Sequence, residues 1–196
     1  MTDSIRALTI QQPWASLIAL GVKSIETRGY GTPFRGPLVI HAGARAARLH
    51  EAEAAWDRVG LRYDDLIATL YPARDRGADP LPLGAVVAVV DLVDVVPIID
   101  GSLGWTEDSD TPPAAVVVSW RSAAMLVDTR EIGSFPDLTD QLPYGNFTPG
   151  RWAWILDNPR VIDPPIPAKG KLGPWRPDPA LRLEVSKAAH LDEVAR

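Results

Sequence analysis

The chain has 196 residues, of which 46% are hydrophobic and 23% are charged, a balance typical of globular proteins and not of disordered ones. It contains no cysteine and only three histidines, which excludes disulfides and thiolate metal sites and makes a structural zinc site unexpected. No apolar run approaches the roughly 18 residues of a membrane span, and the N-terminus lacks a signal-peptide pattern. We therefore expect one cytoplasmic domain over residues 1–196, with no membrane segment, metal or cofactor.

The formal net charge of −5 conceals a strong segregation of charge along the chain. Residues 1–50 carry six Lys/Arg and two acids, and residues 151–176 carry five and two, which gives +4 and +3. Residues 51–150 carry six Lys/Arg and seventeen acids, a net of −11. A polyanionic ligand responds to the local field, so the two basic segments predict a surface for nucleic acid. The acidic middle section is an alternative face for a protein partner.

The N-terminal part of the chain predicts a strand, a helix and two further strands. A strand at Ala7–Ile10 precedes a helix with Pro13 at its first position, and Gly21 ends that helix. Extended segments follow at Ser24–Thr27 and Pro37–Ala42, separated by glycine- and proline-rich turns.

The remainder predicts a helical insertion at about 45–75, followed mainly by strands. Helical periodicity extends from Arg45 through Val59, and a second helical piece covers Asp64–Leu70. The sequence predicts one long strand at Gly84–Ile98 and a surface loop at the acidic, proline-rich residues 100–113. The other expected strands are Ala114–Trp120, Ala124–Val127, Trp152–Leu156 and Val161–Ile166, with a turn-rich excursion at Phe135–Pro149. This order favours an α+β barrel with an N-terminal helix and a helical insertion.

Three N-terminal motifs and the C-terminal region carry a family resemblance. The N-terminal motifs are Gln11-Gln-Pro-Trp-Ala15, Gly21-Val-Lys-Ser-Ile-Glu-Thr-Arg28 and Thr32-Pro-Phe-Arg-Gly-Pro-Leu-Val-Ile-His-Ala42. They resemble the ASCH-domain pattern, and Gly150–Trp154, Asp157–Pro159 and Lys169–Trp175 are similar to its closing section. The resemblance implies a PUA-like β-barrel associated with RNA, coactivator complexes and nucleotide metabolism; residues 45–148 match only in layout.

The second motif supplies the central candidate residues. Glu26 and Arg28 lie two apart on an extended segment, so both side chains lie on one face of the sheet. Lys23 lies at the helix-to-strand turn, and Gln12 precedes the helix with an amide able to read a base edge. The resemblance implies that these residues line a polar cleft. The alternative is an ion pair of Glu26 with Arg28 or Lys23 that stabilises the barrel.

Arginines and tryptophans extend this candidate site. Arg35 and Arg45 are candidates to bind phosphate oxygens, the alternative being solvated surface arginines. Trp152 shares a strand face with Trp154, and one such ring stacked on a base would contribute about 1–3 kcal/mol; the alternative is a place in the core. The predicted nucleic-acid-binding residues are Gln12, Trp14, Lys23, Arg28, Arg35, Arg45 and Trp152, whereas His41 is expected to be structural.

Two functional hypotheses follow, with two weaker alternatives. The first is binding of RNA, single-stranded DNA, or a modified nucleoside or nucleotide. The second is an amidohydrolase of N4-acylated cytidine nucleosides, because one ASCH branch uses a lysine and a threonine of K-x-x-T with a later glutamate. Lys23 and Glu26 would then be catalytic, but Glu26 replaces the threonine and would stabilise the ammonium form of Lys23, which disfavours a lysine base.

The later glutamate of that branch has no evident counterpart, and Asp91 and Asp94 are the nearest carboxylates on a predicted strand. A metal-dependent nuclease would need grouped carboxylates around Mg²⁺, which the sequence does not identify. A protein-interaction adaptor that uses the acidic middle section is the remaining alternative.

Overall fold

The computed structural model describes residues 5–45, 81–100, 115–119, 124–128 and 138–191, and it describes residues 115–119 and 124–128 by their backbone alone. The helical insertion predicted at about 45–75 and most of the acidic middle section lie outside these residues.

The described residues form eight β-strands, two α-helices and a 3₁₀ helix. In chain order these are β1 (Arg6–Ile10), α1 (Trp14–Ala19), β2 (Ile25–Arg28), β3 (Gly36–Ala42), β4 (Ala85–Asp100), β5 (Ala115–Ser119), β6 (Ala124–Asp128), the 3₁₀ helix (Thr139–Tyr144), β7 (Trp152–Pro167), β8 (Pro174–Trp175) and α2 (Pro179–Ala188). Contacts divide the chain into two compact units. Unit 1 comprises Met1–Lys23, Gly36–Asp91 and Asp157–Arg196, and unit 2 comprises Ser24–Arg35 and Leu92–Leu156.

In unit 1, β1 lies between two partner strands. It is parallel to β3 in a register that runs from Arg6 opposite Leu38 to Ile10 opposite Ala42. It is antiparallel to β8, with Ala7 opposite Trp175. β3 is buried from Leu38 to its end, as is usual for a strand with a parallel neighbour.

The apolar core of unit 1 includes residues from five strands and α2. Its buried members are Ile5, Ala7, Val39, Val86, Val89, Ile162, Ile166, Trp175, Val185 and Ala189. α2 contributes through Val185 and the adjoining Ala189, which are four residues apart and therefore lie on one helical face. Neither described helix has the length and apolar character needed to cross a membrane.

Two local features define α1: buried apolar side chains and a glycine that ends the helix. Leu17 and Ile18 are fully buried, and Gly21 follows the helix with a φ of 74°, which glycine adopts without steric strain. Pro13 occupies the N-cap position, and not the first helical position that the sequence predicted. Since proline has no capping side chain, Gln12 supplies the acceptor: its Oε1 accepts a hydrogen bond from the Ser16 N–H at 3.1 Å.

In unit 2, β2 pairs antiparallel with the first part of β7, and the second part of β4 pairs with β5. β5 in turn pairs antiparallel with β6. The unit has its own apolar cluster, whose buried members are Ile25, Val96, Ile98, Phe147 and Ala153.

The predicted strands are confirmed within a few residues, with one change in the last third of the chain. Two closing strands were predicted, at Trp152–Leu156 and Val161–Ile166, but the structure has the single strand β7. The sequence Asp157-Asn-Pro159 lies between the two predicted strands, and the chain accommodates it within β7. Asn158 takes a φ of 49°, a left-handed value that asparagine tolerates, and its side-chain amide donates to Asp91 Oδ2 at 3.0 Å.

Candidate nucleic-acid interface

The pairing of β2 with β7 places four candidate side chains on one face of unit 2. Glu26 lies opposite Trp154 and Arg28 lies opposite Trp152, and directly opposed residues of an antiparallel pair share a face. The alternate residues Ile25 and Ala153 belong to the apolar cluster on the other face. The polar groups and the two indoles therefore lie on the face directed away from that cluster.

Glu26 and Arg28 form an ion pair. Arg28 Nε lies 3.0 Å from Glu26 Oε1, and their side chains are 24% and 12% exposed, respectively. A partly buried pair is screened by salt less than a surface pair, so the attraction between its two charges persists in salt. The pair that the sequence analysis gave as an alternative is thus formed with Arg28.

The two tryptophans differ in exposure. Trp154 is fully buried, and its Nε1 donates to the Tyr30 carbonyl oxygen at 3.2 Å. Trp152 is half-buried, and Gly31 lies against its ring so closely that a Cβ there would be 3.0 Å from two ring carbons. Trp154 is therefore a core residue, and Trp152 is the one with access to solvent.

Tyr30 is an exposed aromatic residue that the sequence analysis did not select. The residue is 41% exposed, and its ring contacts the Trp154 ring edge-on, with the centroids 5.9 Å apart. The sequence does place Tyr30 in a turn, because it stands between Gly29 and Gly31 and two residues after Arg28. We call Glu26, Arg28, Tyr30 and Trp152 the β2–β7 surface.

Arg35 is held by five intramolecular hydrogen bonds. Its Nε and Nη2 donate to Asp94 Oδ1 at 3.2 and 2.7 Å, and its other bonds go to the carbonyl oxygens of Thr32, Phe34 and Val95. A phosphate would have to compete with all of these acceptors. The arrangement favours a structural function for Arg35. It also means that Asp94 Oδ1 already accepts hydrogen bonds from the Arg35 guanidinium.

Asp91, in unit 1, is similarly engaged. Its two carboxylate oxygens accept from Arg160 at 2.6 Å and from Asn158 at 3.0 Å. Neither of the carboxylates considered as the later acid is thus positioned as an isolated general acid or base. Among the residues that the structure describes, no group of three His, Cys, Asp or Glu side chains is arranged to hold a metal ion.

The remaining predicted residues belong to unit 1 and differ widely in accessibility. Gln12 is 1% exposed, with Nε2 donating to the Pro82 carbonyl oxygen at 3.0 Å and Oε1 bonded to Ser16, so both ends of its amide have internal partners. Lys23 is also 1% exposed, whereas Trp14 is half-buried and Arg45 is exposed. A ligand arriving from solvent can reach Arg45 but not Gln12 or Lys23 in this conformation.

The buried residue Tyr144 closes the 3₁₀ helix of unit 2. Burial raises the pKa of its phenol above the ordinary value, and the nearby Asp140 carboxylate adds to the shift. The phenol therefore stays neutral well above physiological pH. It contributes no charge to the unit that carries the β2–β7 surface.

Comparison with known proteins gives the family. A family model described as the ASCH domain matches residues 8–134. Activating signal cointegrator 1 from Homo sapiens is 33% identical over 90 residues, which is 44% of this chain and 14% of that protein. Activating signal cointegrator 1 from Mus musculus is 32% identical over 90 residues, with the same coverage of both chains.

The chain thus spans a small part of the length of these curated relatives. The family match nevertheless includes β1 to β6 and therefore most of the described strands. With the mixed sheet and the two helices, it confirms the predicted fold class, an α+β fold of the PUA-like ASCH type. Since the family model matches more than half of its residues, the chain belongs to the ASCH-domain family.

Proposed function

We propose that the chain binds RNA, single-stranded DNA or a modified nucleoside, and that the β2–β7 surface recognises the base. The observation that carries this proposal is the partly buried Glu26–Arg28 pair beside the exposed Tyr30 and the half-buried Trp152. Membership of the ASCH family supports the same class of ligand.

The chemistry of the ion pair favours a base edge over a phosphate group. A guanidinium only donates hydrogen bonds and a carboxylate only accepts them, so the pair offers both functions side by side. The edge of a nucleobase also presents donors and acceptors together. A phosphate, in contrast, would be repelled by the Glu26 carboxylate.

The aromatic residues supply the second component of base recognition. A base stacked on an aromatic side chain contributes about 1–3 kcal/mol with little dependence on sequence. Gly31 already lies close to the Trp152 ring, and Tyr30 is the more exposed of the two residues. We therefore assign stacking to Tyr30 first and to the accessible part of Trp152 second.

Substitutions at two residues, Arg28 and Tyr30, test the surface, with fluorescence anisotropy of labelled single-stranded RNA and DNA and calorimetry of nucleosides as the measurements. Arg28→Lys keeps the positive charge but removes the planar donors, and we expect it to weaken binding by about 1–3 kcal/mol. Tyr30→Leu should lose a similar amount by removing the stacking ring, whereas Tyr30→Phe should bind like the native chain.

Lys187→Ala is the control, because Lys187 is exposed on α2 and lies outside the β2–β7 surface. Unfolding curves of all variants separate a binding defect from a loss of fold. If Arg28→Lys and Tyr30→Leu bind every tested ligand as tightly as the native chain, the proposed surface is wrong.

A second candidate function is hydrolysis of N4-acylated cytidines, and the burial of Lys23 is the observation that favours it. Lysine is rarely fully buried, and lysines that act as nucleophiles or bases are commonly desolvated. Incubation with N4-acetylcytidine followed by detection of cytidine tests this function directly. Turnover that is lost in Lys23→Met and Glu26→Gln would identify the chain as an amidohydrolase, whereas no turnover by the native chain rejects this substrate.

A further inference from the structure

Unit 1 has a charged feature of its own, in addition to the β2–β7 surface of unit 2. We propose that its segment Lys169–Arg176, called here the basic loop, binds the phosphate groups of a single-stranded nucleic acid. This inference rests on the proposed function and adds the site that binds the phosphate backbone. It would supply affinity that does not depend on sequence, since phosphate contacts position a strand without reading its bases.

The basic loop concentrates positive charge that has no acidic partner among the described residues. Lys169, Lys171 and Arg176 are all exposed, and the sequence contains no acid between Asp163 and Asp178. None of the three cations forms an ion pair with the residues that the structure describes, unlike Arg28, Arg35 and Arg160, which each have an acidic partner. Binding a phosphate therefore requires no existing ion pair to break.

The backbone of the loop is fixed on the core of unit 1. The Ala168 N–H donates to the Gly84 carbonyl oxygen at 2.9 Å, and His41 Nε2 lies 2.9 Å from the Ala168 carbonyl oxygen and so donates to it. Gly170 lies directly on the His41 ring and on Thr9 Oγ1, where a Cβ would come within 2.8 Å or less of each. A fixed backbone reduces the conformational entropy that is lost when a ligand binds.

Trp175 anchors the C-terminal part of the loop. The residue is 7% exposed, its Nε1 donates to Thr9 Oγ1 at 3.3 Å, and its ring contacts the His41 ring edge-on. Lys171 Nζ lies 5.6 Å from the centroid of the Trp175 ring, so a cation–π contact orients this ammonium group while leaving it exposed. The buried indole thus positions a cation and is not itself available for stacking.

Leu172 distinguishes two classes of partner for this loop. Its side chain is fully exposed, between Lys171 and Gly173. One leucine buries far less apolar surface than the amphipathic helices that bind membranes, whereas it suffices for contact with one sugar or base. A loop with three exposed cations and one fully exposed leucine therefore favours a nucleic-acid strand over a lipid surface.

The test is the salt dependence of binding to a labelled single-stranded RNA of mixed sequence. Each phosphate contact contributes about 0.7 to the slope of log K against log salt for single strands. The combined variant Lys169→Gln/Lys171→Gln should therefore reduce the magnitude of the slope by about 1.4 and weaken binding to different sequences equally. Lys187→Gln removes one exposed charge from the same unit outside the loop and should leave the slope unchanged.

The outcomes separate this inference from the proposed function. If the native chain binds no oligonucleotide or nucleoside, the proposed function fails and this inference fails with it. If the native chain binds, and Arg28→Lys weakens binding while the combined loop variant keeps the native slope, only the basic loop is overturned. Binding to phosphatidylserine–phosphatidylcholine vesicles that is lost in the loop variant, with RNA binding intact, would overturn it in favour of a lipid surface.

Discussion

The Tyr30 turn depends on two glycines whose surroundings differ. A Cβ on Gly31 would lie 3.0 Å from two carbons of the Trp152 ring, whereas a Cβ on Gly29 would meet nothing within 4 Å. The Gly31 backbone can thus lie against the Trp152 ring because residue 31 has no side chain. The two glycines form a matched pair for testing whether this contact stabilises unit 2.

We predict that Gly31→Ala lowers the free energy of unfolding by about 1–3 kcal/mol, because either the ring or the turn must shift to relieve the overlap. Gly29→Ala should be neutral or should stabilise the chain by up to about 1 kcal/mol, since alanine restricts the unfolded chain without meeting a neighbour. Denaturant unfolding of both variants measures the difference. Equal stability of the two variants would show that the Gly31–Trp152 contact is unimportant.

The sequence could not predict which groups the individual side chains of the site contact. The spacing of Glu26 and Arg28 was sufficient to place both on one face, because strand alternation is a local rule. The internal partners of Gln12 and Arg35 lie 70 and 59 residues away, at Pro82 and Asp94. Such pairings depend on the register of distant segments, which residue spacing does not encode.

Among the elements, the strands were easier to predict than the C-terminal helix. Long apolar runs such as Ala85–Val90 identify buried strands directly. α2 was missed because its exposed Leu183 obscures the helical periodicity, although Asp178-Pro179 is a typical helix start. The Asp178 side chain indeed caps α2, with Oδ1 accepting from the Leu181 N–H at 2.9 Å.

Removal of this cap should destabilise unit 1 because α2 contributes Val185 to its core. We predict that Asp178→Ala lowers the free energy of unfolding by about 0.5–2 kcal/mol and that Asp178→Asn retains most of it, since asparagine also caps helices. Glu184→Ala, which removes an exposed acid from the middle of the same helix, is the control. A loss in Glu184→Ala as large as that in Asp178→Ala would contradict the capping interpretation.

At the scale of the whole molecule, the charges differ between the two units. Over its full sequence ranges unit 1 carries fifteen Lys/Arg and fifteen acids, whereas unit 2 carries five and ten. The total charge of −5 therefore belongs to unit 2, and the unit that contains the basic loop is neutral overall. The proposed phosphate site therefore depends on the local charge of the basic loop and not on the net charge of unit 1.

The expectation that residues 1–196 form one domain stays a prediction, and two strands of the sheet bear on it. β4 passes from unit 1 into unit 2 after Asp91, and β7 returns from unit 2 into unit 1 after Leu156. If one unit unfolded alone, β4 and β7 would each be shortened in the unit that remained folded. We therefore predict one cooperative unfolding transition, followed by both tryptophan fluorescence and far-UV circular dichroism.

Matched substitutions in the two cores test that cooperativity. Ile162→Val removes one methylene group from the core of unit 1, and Ile98→Val removes the same group from the core of unit 2. Each should shift the entire transition by a loss of about 0.5–1.5 kcal/mol, and the double variant should lose the sum because the sites share no cluster. A variant that shifts only part of a biphasic curve would instead show that the two units unfold separately. The continuity of β4 and β7 would then be insufficient to couple the two cores.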